Sequence, residues 1–252
     1  MNEQSRINKQ AWEYRAYEFW CNRDGTPSEK SIEILKDPKK SLKKHREYFD
    51  DVNGLNIANI CGSNGRRAVP LAILGADVTI FDLSEENKRY ALELADCSNT
   101  TIEYIVGDIL DIDVEKYRQR FDFLYLEGGV LHYFNDLIQL MNILFPILKV
   151  GGKLIMSDYH PIKRCISPEF SYIPIYFNHD FVQGDISYKQ FFDVEEQHDF
   201  PSVSLSHHTL SDIINSVVSV GFTLQRFDEH RGWNGENIPW EFTLLAEKVN
   251  QS

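Results

Sequence analysis

The run Leu55-Asn56-Ile57-Ala58-Asn59-Ile60-Cys61-Gly62-Ser63-Asn64-Gly65 decides the fold. Leu55–Cys61 reads as a short, mostly apolar strand. The small residues after it read as a tight turn into a helix through about Leu74. Gly75 ends that helix, because glycine takes the left-handed C′ conformation without a Cβ penalty. Val78–Phe81 is a second strand. Ser84 caps the next helix, with Glu85 and Glu86 in the first turn, where acids suit the helix dipole. Thr101–Val106, Phe121–Leu126 and Lys153–Ser157 are three further strands, and the helix Leu137–Leu148 closes at Val150-Gly151-Gly152. Strands alternating with helices at this spacing predict a parallel sheet with helices on both faces and right-handed crossovers.

Outside this rhythm the chain changes character. Residues 10–50 read as helical, with Trp12, Tyr14, Tyr17, Phe19 and Trp20 crowded into the first part. Residues 158–206 are long, aromatic and irregular. The helix Thr209–Val220 ends at Gly221, and the strands Phe222–Phe227 and Glu241–Lys248 follow. The short connection between those strands allows a hairpin, which makes the last strand antiparallel. The expected fold is therefore α/β: a seven-stranded, mostly parallel sheet flanked by helices, with its last strand antiparallel. An N-terminal helical lid and an aromatic insert after strand five complete it. The expected regions are a cap at 1–50, a core at 51–158 and 207–252, and an insert at 159–206 that covers substrate.

Hydrophobic residues are 42% of the 252 and charged residues 25%, a composition ordinary for a folded domain. A net charge of −12 repels phosphate backbones, so nucleic acid is not an expected partner. The basic run Lys36 to Arg46 reads as the solvated face of a helix. No stretch approaches the ~18 apolar residues of a membrane span. Met1 to Gln10 is polar and lacks a signal-peptide core, so the expectation is a cytoplasmic protein with no membrane partner. Cys21, Cys61, Cys97 and Cys165 fit no CxxC motif and are expected to be reduced and mostly buried. Asp158, His160, His179 and Asp180 match no standard ligand spacing, so no metal is expected.

The first strand–loop–helix is where doubly wound folds bind phosphates or nucleosides. Here Cys61, Gly62, Ser63, Asn64 and Gly65 let the backbone approach a ligand, although the run is not GxGxxG. Asp82, beside Leu83 at the end of the second strand, is placed to accept from both ribose hydroxyls. After the third strand, Asp108 can accept from an adenine amino group while the N–H of Ile109 donates to a ring nitrogen. Glu127-Gly128-Gly129 after the fourth leaves room for the reacting end.

In these residues the chain resembles class I, Rossmann-like S-adenosylmethionine-dependent methyltransferases, from about Gly54 to Asp158 and again in the C-terminal hairpin. Against the family's acid-x-Gly-x-Gly-x-Gly motif, this chain has Asn59 for the acid, Cys61 for the first glycine and Ser63 for the second, with Gly65 as the anchor. Asp82 and Asp108 match the ribose-binding and adenine-contacting acids. Leu126 to Phe134 and Leu148-Lys149-Val150-Gly151-Gly152 match the motifs around strands four and five. The resemblance implies S-adenosyl-L-methionine as cofactor and methyl transfer to an O, N or S atom of a small molecule. A nicotinamide-dependent oxidoreductase shares the glycine loop and the Asp82 logic, and a non-catalytic module that senses the nucleoside is a third reading.

Methyl transfer needs the nucleophile held in line, and a base only where the acceptor proton is hard to lose. His132, after strand four, and His160, after strand five, are the candidate bases; His207 and His208 precede a helix and read as entry or capping residues. Tyr17 and Trp20 are candidate lid residues, a tyrosine hydroxyl reaching the methionine carboxylate. The insert's tyrosines and phenylalanines suit an apolar acceptor wall or a homodimer contact.

Overall fold

The structure, a computed structural model, describes residues 1–250. Four helices come first: α1 (Glu3–Glu13), α2 (Ala16–Asp24), α3 (Pro27–Lys36) and α4 (Pro38–Ser41). Then follow β1 (Asn56–Ile60), α5 (Ala68–Ile73), β2 (Asp77–Asp82), α6 (Glu85–Cys97), β3 (Glu103–Val106), α7 (Val114–Tyr117), β4 (Phe121–Glu127), α8 (Leu137–Ile147) and β5 (Leu148–Tyr159). The chain ends with β6 (Val182–Asp185), β7 (Ser202–Leu205), α9 (Leu210–Ser219), β8 (Phe222–Arg231) and β9 (Pro239–Lys248).

Seven strands form one sheet in the order β3-β2-β1-β4-β5-β9-β8. β1, β2 and β3 run parallel, as do β4 and β5, while β9 is antiparallel to both β5 and β8. The expected α/β class and closing hairpin are what the chain forms. A separate two-stranded sheet of β6 and β7 was not anticipated. Its strands are four residues each, β6 is mostly exposed and β7 buries only Val203, so they carry too little hydrophobic alternation to read.

The chain divides into two compact units, each packed mainly on itself. The first is residues 1–112 with 183–204, the second 113–182 with 205–252. This division cuts across the expected insert, because residues 183–204 pack with the N-terminal unit: the Tyr188 hydroxyl donates to the carbonyls of Ala11 (2.7 Å) and Tyr14 (2.6 Å).

In the first unit β1 buries four of its five residues, as a central parallel strand must. α6 buries Tyr90, Ala91, Leu94 and Ala95, a single face at helical spacing. Ser84 caps α6 by accepting from the N–H of Asn87, and Gly75 has φ +96°, so both boundaries follow the sequence reading. The basic run Lys36–Arg46 is not one helix. Asp37-Pro38 breaks it into the end of α3, the short α4 and a 3-10 turn, since the residue before a proline leaves the helical region. Its lysines are mostly exposed. The thiols are free, but only Cys165 is buried; Cys97 is exposed at the end of α6.

Candidate functional site

The turn after β1 is built from strained backbone. Cys61 has φ +50° and Ser63 φ +49°, the left-handed region that non-glycine residues avoid at a cost of roughly 1–2 kcal/mol. These are two of the three positions where the related motif has glycine; Gly65, at φ +74°, keeps the third. The remaining glycines are held by packing. A Cβ on Gly62 would lie 2.6 Å from Asn59 Oδ1, and one on Gly65 would lie 2.8 Å from the Cβ of Ala91.

Asp82 organises this turn. Its Oδ2 accepts from the N–H of Ser63 (3.0 Å); its Oδ1 accepts from the N–H of Ser84 (3.0 Å) and from Asn87 Nδ2 (3.2 Å). The carboxyl is buried, and desolvation raises its pKa against the opposing pull of those donors. The Tyr104 hydroxyl on β3 donates to the Ser63 carbonyl at 2.9 Å. The spacing of Asp82 pointed to a ligand-facing acid; its part in bracing the loop has no sequence signature, and neither has Tyr104.

Asp108 is different. Its Oδ1 accepts from the N–H of Leu110 (3.0 Å), while its buried Oδ2 has no partner, and neither has the buried Oγ of Ser63. A buried acceptor without a donor costs about 1–3 kcal/mol. Beside it, a Cβ on Gly107 would meet nothing within 4 Å. An acceptor lacking a donor, next to open space after β3, fits a nucleoside whose base carries an amino group. Ile109 is buried and Leu83 half-buried, and Glu127 ends β4 in the second unit.

The N-terminal helices lean on α6. Glu13 accepts from the N–H groups of Glu85 (2.8 Å) and Glu86 (3.2 Å), which are the open donors of the helix start. Trp20 is buried and donates from Nε1 to Asn87 Oδ1 at 2.7 Å. The Tyr17 hydroxyl donates to Glu93, with the Arg89 guanidinium 4.0 Å over its ring. Thus Trp20 stands one side chain from Asp82, while Tyr17 is engaged further along α6.

The second unit holds a cavity of about 330 Å³, at the small end of ligand sites. Leu131, Tyr159, Pro161, Leu205 and Ile213 give it an apolar wall; His132, His160, His207, His208, Lys163 and Arg164 line the rest, with Asp158. Asp158 braces the floor by accepting from the N–H groups of Val130, Leu131 (both 2.7 Å) and Tyr159 (2.6 Å).

The histidines are not equivalent. His160 Nδ1 accepts from the N–H of Ile162 (3.2 Å); its buried Nε2 lies 3.1 Å from Glu229 Oε1 without the geometry of a hydrogen bond, so both nitrogens face protein groups but only Nδ1 is bonded. His208 Nε2 donates to the Phe134 carbonyl at 2.8 Å. His132 lies nearly parallel to Tyr159 (16°, centroids 6.4 Å apart), and neither of its ring nitrogens bonds to a described residue. Burial pushes its pKa down to about 4, aided by His208 and Lys163, so it is a neutral imidazole at pH 7. Lys163 and Arg164, in the run His160-Pro161-Ile162-Lys163-Arg164, were missed at the sequence level because a 3-10 turn has no readable period.

Residues 59–156 match the family model described as a methyltransferase domain. The chain is 22% identical over 198 residues to the uncharacterized methyltransferase YbaJ of Bacillus subtilis, covering 74% of this chain and 73% of that protein. In fold it is similar to the S-adenosylmethionine-dependent methyltransferase of Mesorhizobium loti (TM-score 0.62, 21% identity, 84% of this chain and 99% of that one). It is also similar to magnesium protoporphyrin IX methyltransferase of Synechocystis PCC 6803 with bound SAH (TM-score 0.63, 15% identity, 98% of this chain and 100% of that one). The chain thus carries a methyltransferase domain across residues 59–156, set in a seven-stranded sheet of order β3-β2-β1-β4-β5-β9-β8 whose fold is shared with solved methyltransferases.

Proposed function

We propose that the enzyme moves the methyl group of S-adenosylmethionine to an O, N or S atom of a small molecule held in the histidine-lined cavity. The observation that carries this reading is the cavity of about 330 Å³ with the unbonded imidazole of His132 in its wall. The bound cofactor supplies a methyl group already activated by the sulfonium. What remains for the chain is to orient the acceptor, exclude water and, for an O–H or N–H whose proton is hard to lose, accept that proton. His132 takes that proton. His160, with both nitrogens facing protein groups, is the weaker candidate.

In the first unit Asp108 Oδ2 accepts from the adenine amino group and the N–H of Ile109 donates to the ring. Asp82 accepts from the ribose hydroxyls alongside the donors it already holds. Cys61, Gly62, Ser63, Asn64, Gly65 and Leu83 shape the cofactor bed, Glu127 meets its reacting end, and Trp20 and Tyr17 belong to the helices that cover it. The 1–50 segment is the cap and 159–206 the substrate cover around the core. The same reading has a cytoplasmic enzyme with no nucleic-acid or membrane partner, able to form a homodimer.

A screen of thiols, phenols, amines and carboxylates with labelled S-adenosylmethionine tests this. Methyl transfer to one class supports it. Tight NAD binding with no calorimetric response to S-adenosylhomocysteine sinks it in favour of a nicotinamide enzyme. Cofactor binding with no turnover on any class points to a sensing module.

A further inference from the structure

Two cationic side chains, Lys163 and Arg164, line the cavity of the second unit; neither makes an ion pair within 4 Å among the described residues, and Glu241, Asp158 and Asp212 act on them only at longer range. The ammonium of Lys163 sits 3.6 Å from the centroid of Tyr159, 4.7 Å from Trp233 and 5.4 Å from Trp240. It makes no hydrogen bond and no ion pair within 4 Å among the described residues. An ammonium has three donors and no acceptor, so cation–π contacts leave all three unused. Arg164 donates to the carbonyls of Asn178 (2.8 Å) and Tyr176, and its buried Nε has no partner. The four histidines around them add further N–H capacity. Asp158 is the one acid in the lining, and its oxygens are already taken by three backbone N–H groups.

This concentration of positive groups is unusual for a chain of net charge −12. Burial shifts Lys163, Arg164, His132, His160, His207 and His208 toward their neutral forms, outweighing the nearby acids: Glu241 and Asp158 at Lys163, Asp212 at Arg164 and His208, and Glu229 at His160. An anion in the cavity reverses that penalty. Leu131, Pro161, Leu205 and Ile213 give the same cavity apolar side chains, with Ser206 among them.

Resting on the methyltransferase reading of this cavity, we propose that the acceptor is a small molecule with an apolar body and an anionic group, carboxylate or phosphate. Lys163 holds the anion and Arg164 Nε supports it. The anion anchors one end of the molecule, and the apolar wall orients the rest. Lys163 is then a binding residue that decides which acceptors are taken.

The probes are benzoate, phenyl phosphate and neutral benzamide, with affinity read by ligand-observed NMR. Benzoate or phenyl phosphate is expected to bind at least about tenfold more tightly than benzamide, the better of the two naming the anion. Lys163→Met is expected to remove that preference and leave benzamide unchanged, while Lys163→Arg restores most of it. Unfolding midpoints check that both variants fold. Equal binding of benzoate, phenyl phosphate and benzamide overturns the proposal, as does an anion preference that survives Lys163→Met or a failure of both anions to bind. Calorimetry with S-adenosylhomocysteine runs in parallel. Its failure counts against the methyltransferase reading, whereas loss of the anion preference with cofactor binding intact counts against this proposal alone.

Discussion

Trp20 Nε1 donates to Asn87 Oδ1 at 2.7 Å, and the same amide donates from Nδ2 to Asp82 Oδ1 at 3.2 Å. The chain of bonds links a buried indole on α2 to the acid that braces the turn after β1. The first bond fixes which way the Asn87 amide points, and so fixes the second. The N-terminal helices therefore do more than cover apolar surface.

Trp20→Phe keeps the ring and removes the donor. Asn87 Oδ1 then lacks its partner, at about 1–3 kcal/mol for a buried group, and the amide is free to flip. We expect S-adenosylhomocysteine affinity to fall about fivefold or more, together with a lower unfolding midpoint. Calorimetry beside thermal unfolding separates the two effects. A lower midpoint with unchanged affinity reduces Trp20 to a packing residue.

Asp82→Ala carries a different expectation from the one its position in the sequence suggests. A loop-end acid reads as dispensable for folding, yet this carboxyl is buried and accepts three hydrogen bonds from protein donors. Losing it is expected to cost about 1–3 kcal/mol of stability and to weaken nucleoside binding by about 1.5–3 kcal/mol. Urea unfolding and calorimetry check both. An unchanged affinity would mean that Asp82 serves the loop and not the ribose.

Cys61→Gly and Ser63→Gly test the strain in the turn. Each removes a Cβ at φ near +50°, worth roughly 1–2 kcal/mol, against an entropic cost of roughly 0.5–1 kcal/mol for the glycine. Each variant should be as stable as the parent or more so, by up to about 1 kcal/mol, read as the denaturation midpoint at constant slope. A clear loss at position 61 would show that the thiol itself makes contacts worth more than the strain.

The central parallel strands were legible because they bury both faces and are bounded by turn residues, as Asn56–Ile60 before Gly62 illustrates. The cap at Ser84 and the stops at Gly75 and Gly221 were legible for the same local reason, whereas Thr209, read as the first residue of its helix, is the cap. Of the candidate site, only the places of Asp82 and Asp108, at or just past strand ends, were legible. What Asp82 bonds to, which nitrogen of His160 is taken, and the meeting of Lys163 with Trp233 and Trp240 depend on residues distant in sequence. Periodicity and capping carry no record of such pairings. Residues 183–204 returning to α1 is a larger case of the same kind, decided by Tyr188 burying its hydroxyl against two carbonyls.

His132 gives the sharpest test of chemistry. From its sequence position alone a base limb near the ordinary imidazole pKa of about 6.5 is expected. Burial moves that limb to about 4. If His132 takes the acceptor proton, turnover should stay flat from pH 8 to about 5 and fall toward pH 4, where the ring charges. At pH 7 the ring is wholly in its accepting form but is a weak base, which favours the lower part of the roughly 10²–10⁴-fold range for His132→Ala. Stability moves in the same direction with pH. In the unfolded chain the ring protonates below about 6.5, while in the folded chain it stays neutral down to about 4, so acidification through that window favours unfolding. His132→Phe should blunt that loss of stability, and an acid titration of the unfolding midpoint for parent and variant reads it. A turnover change below about tenfold in His132→Ala, with the acid limb still in place, would leave His132 as a wall of the cavity and the acceptor as a nucleophile needing no base.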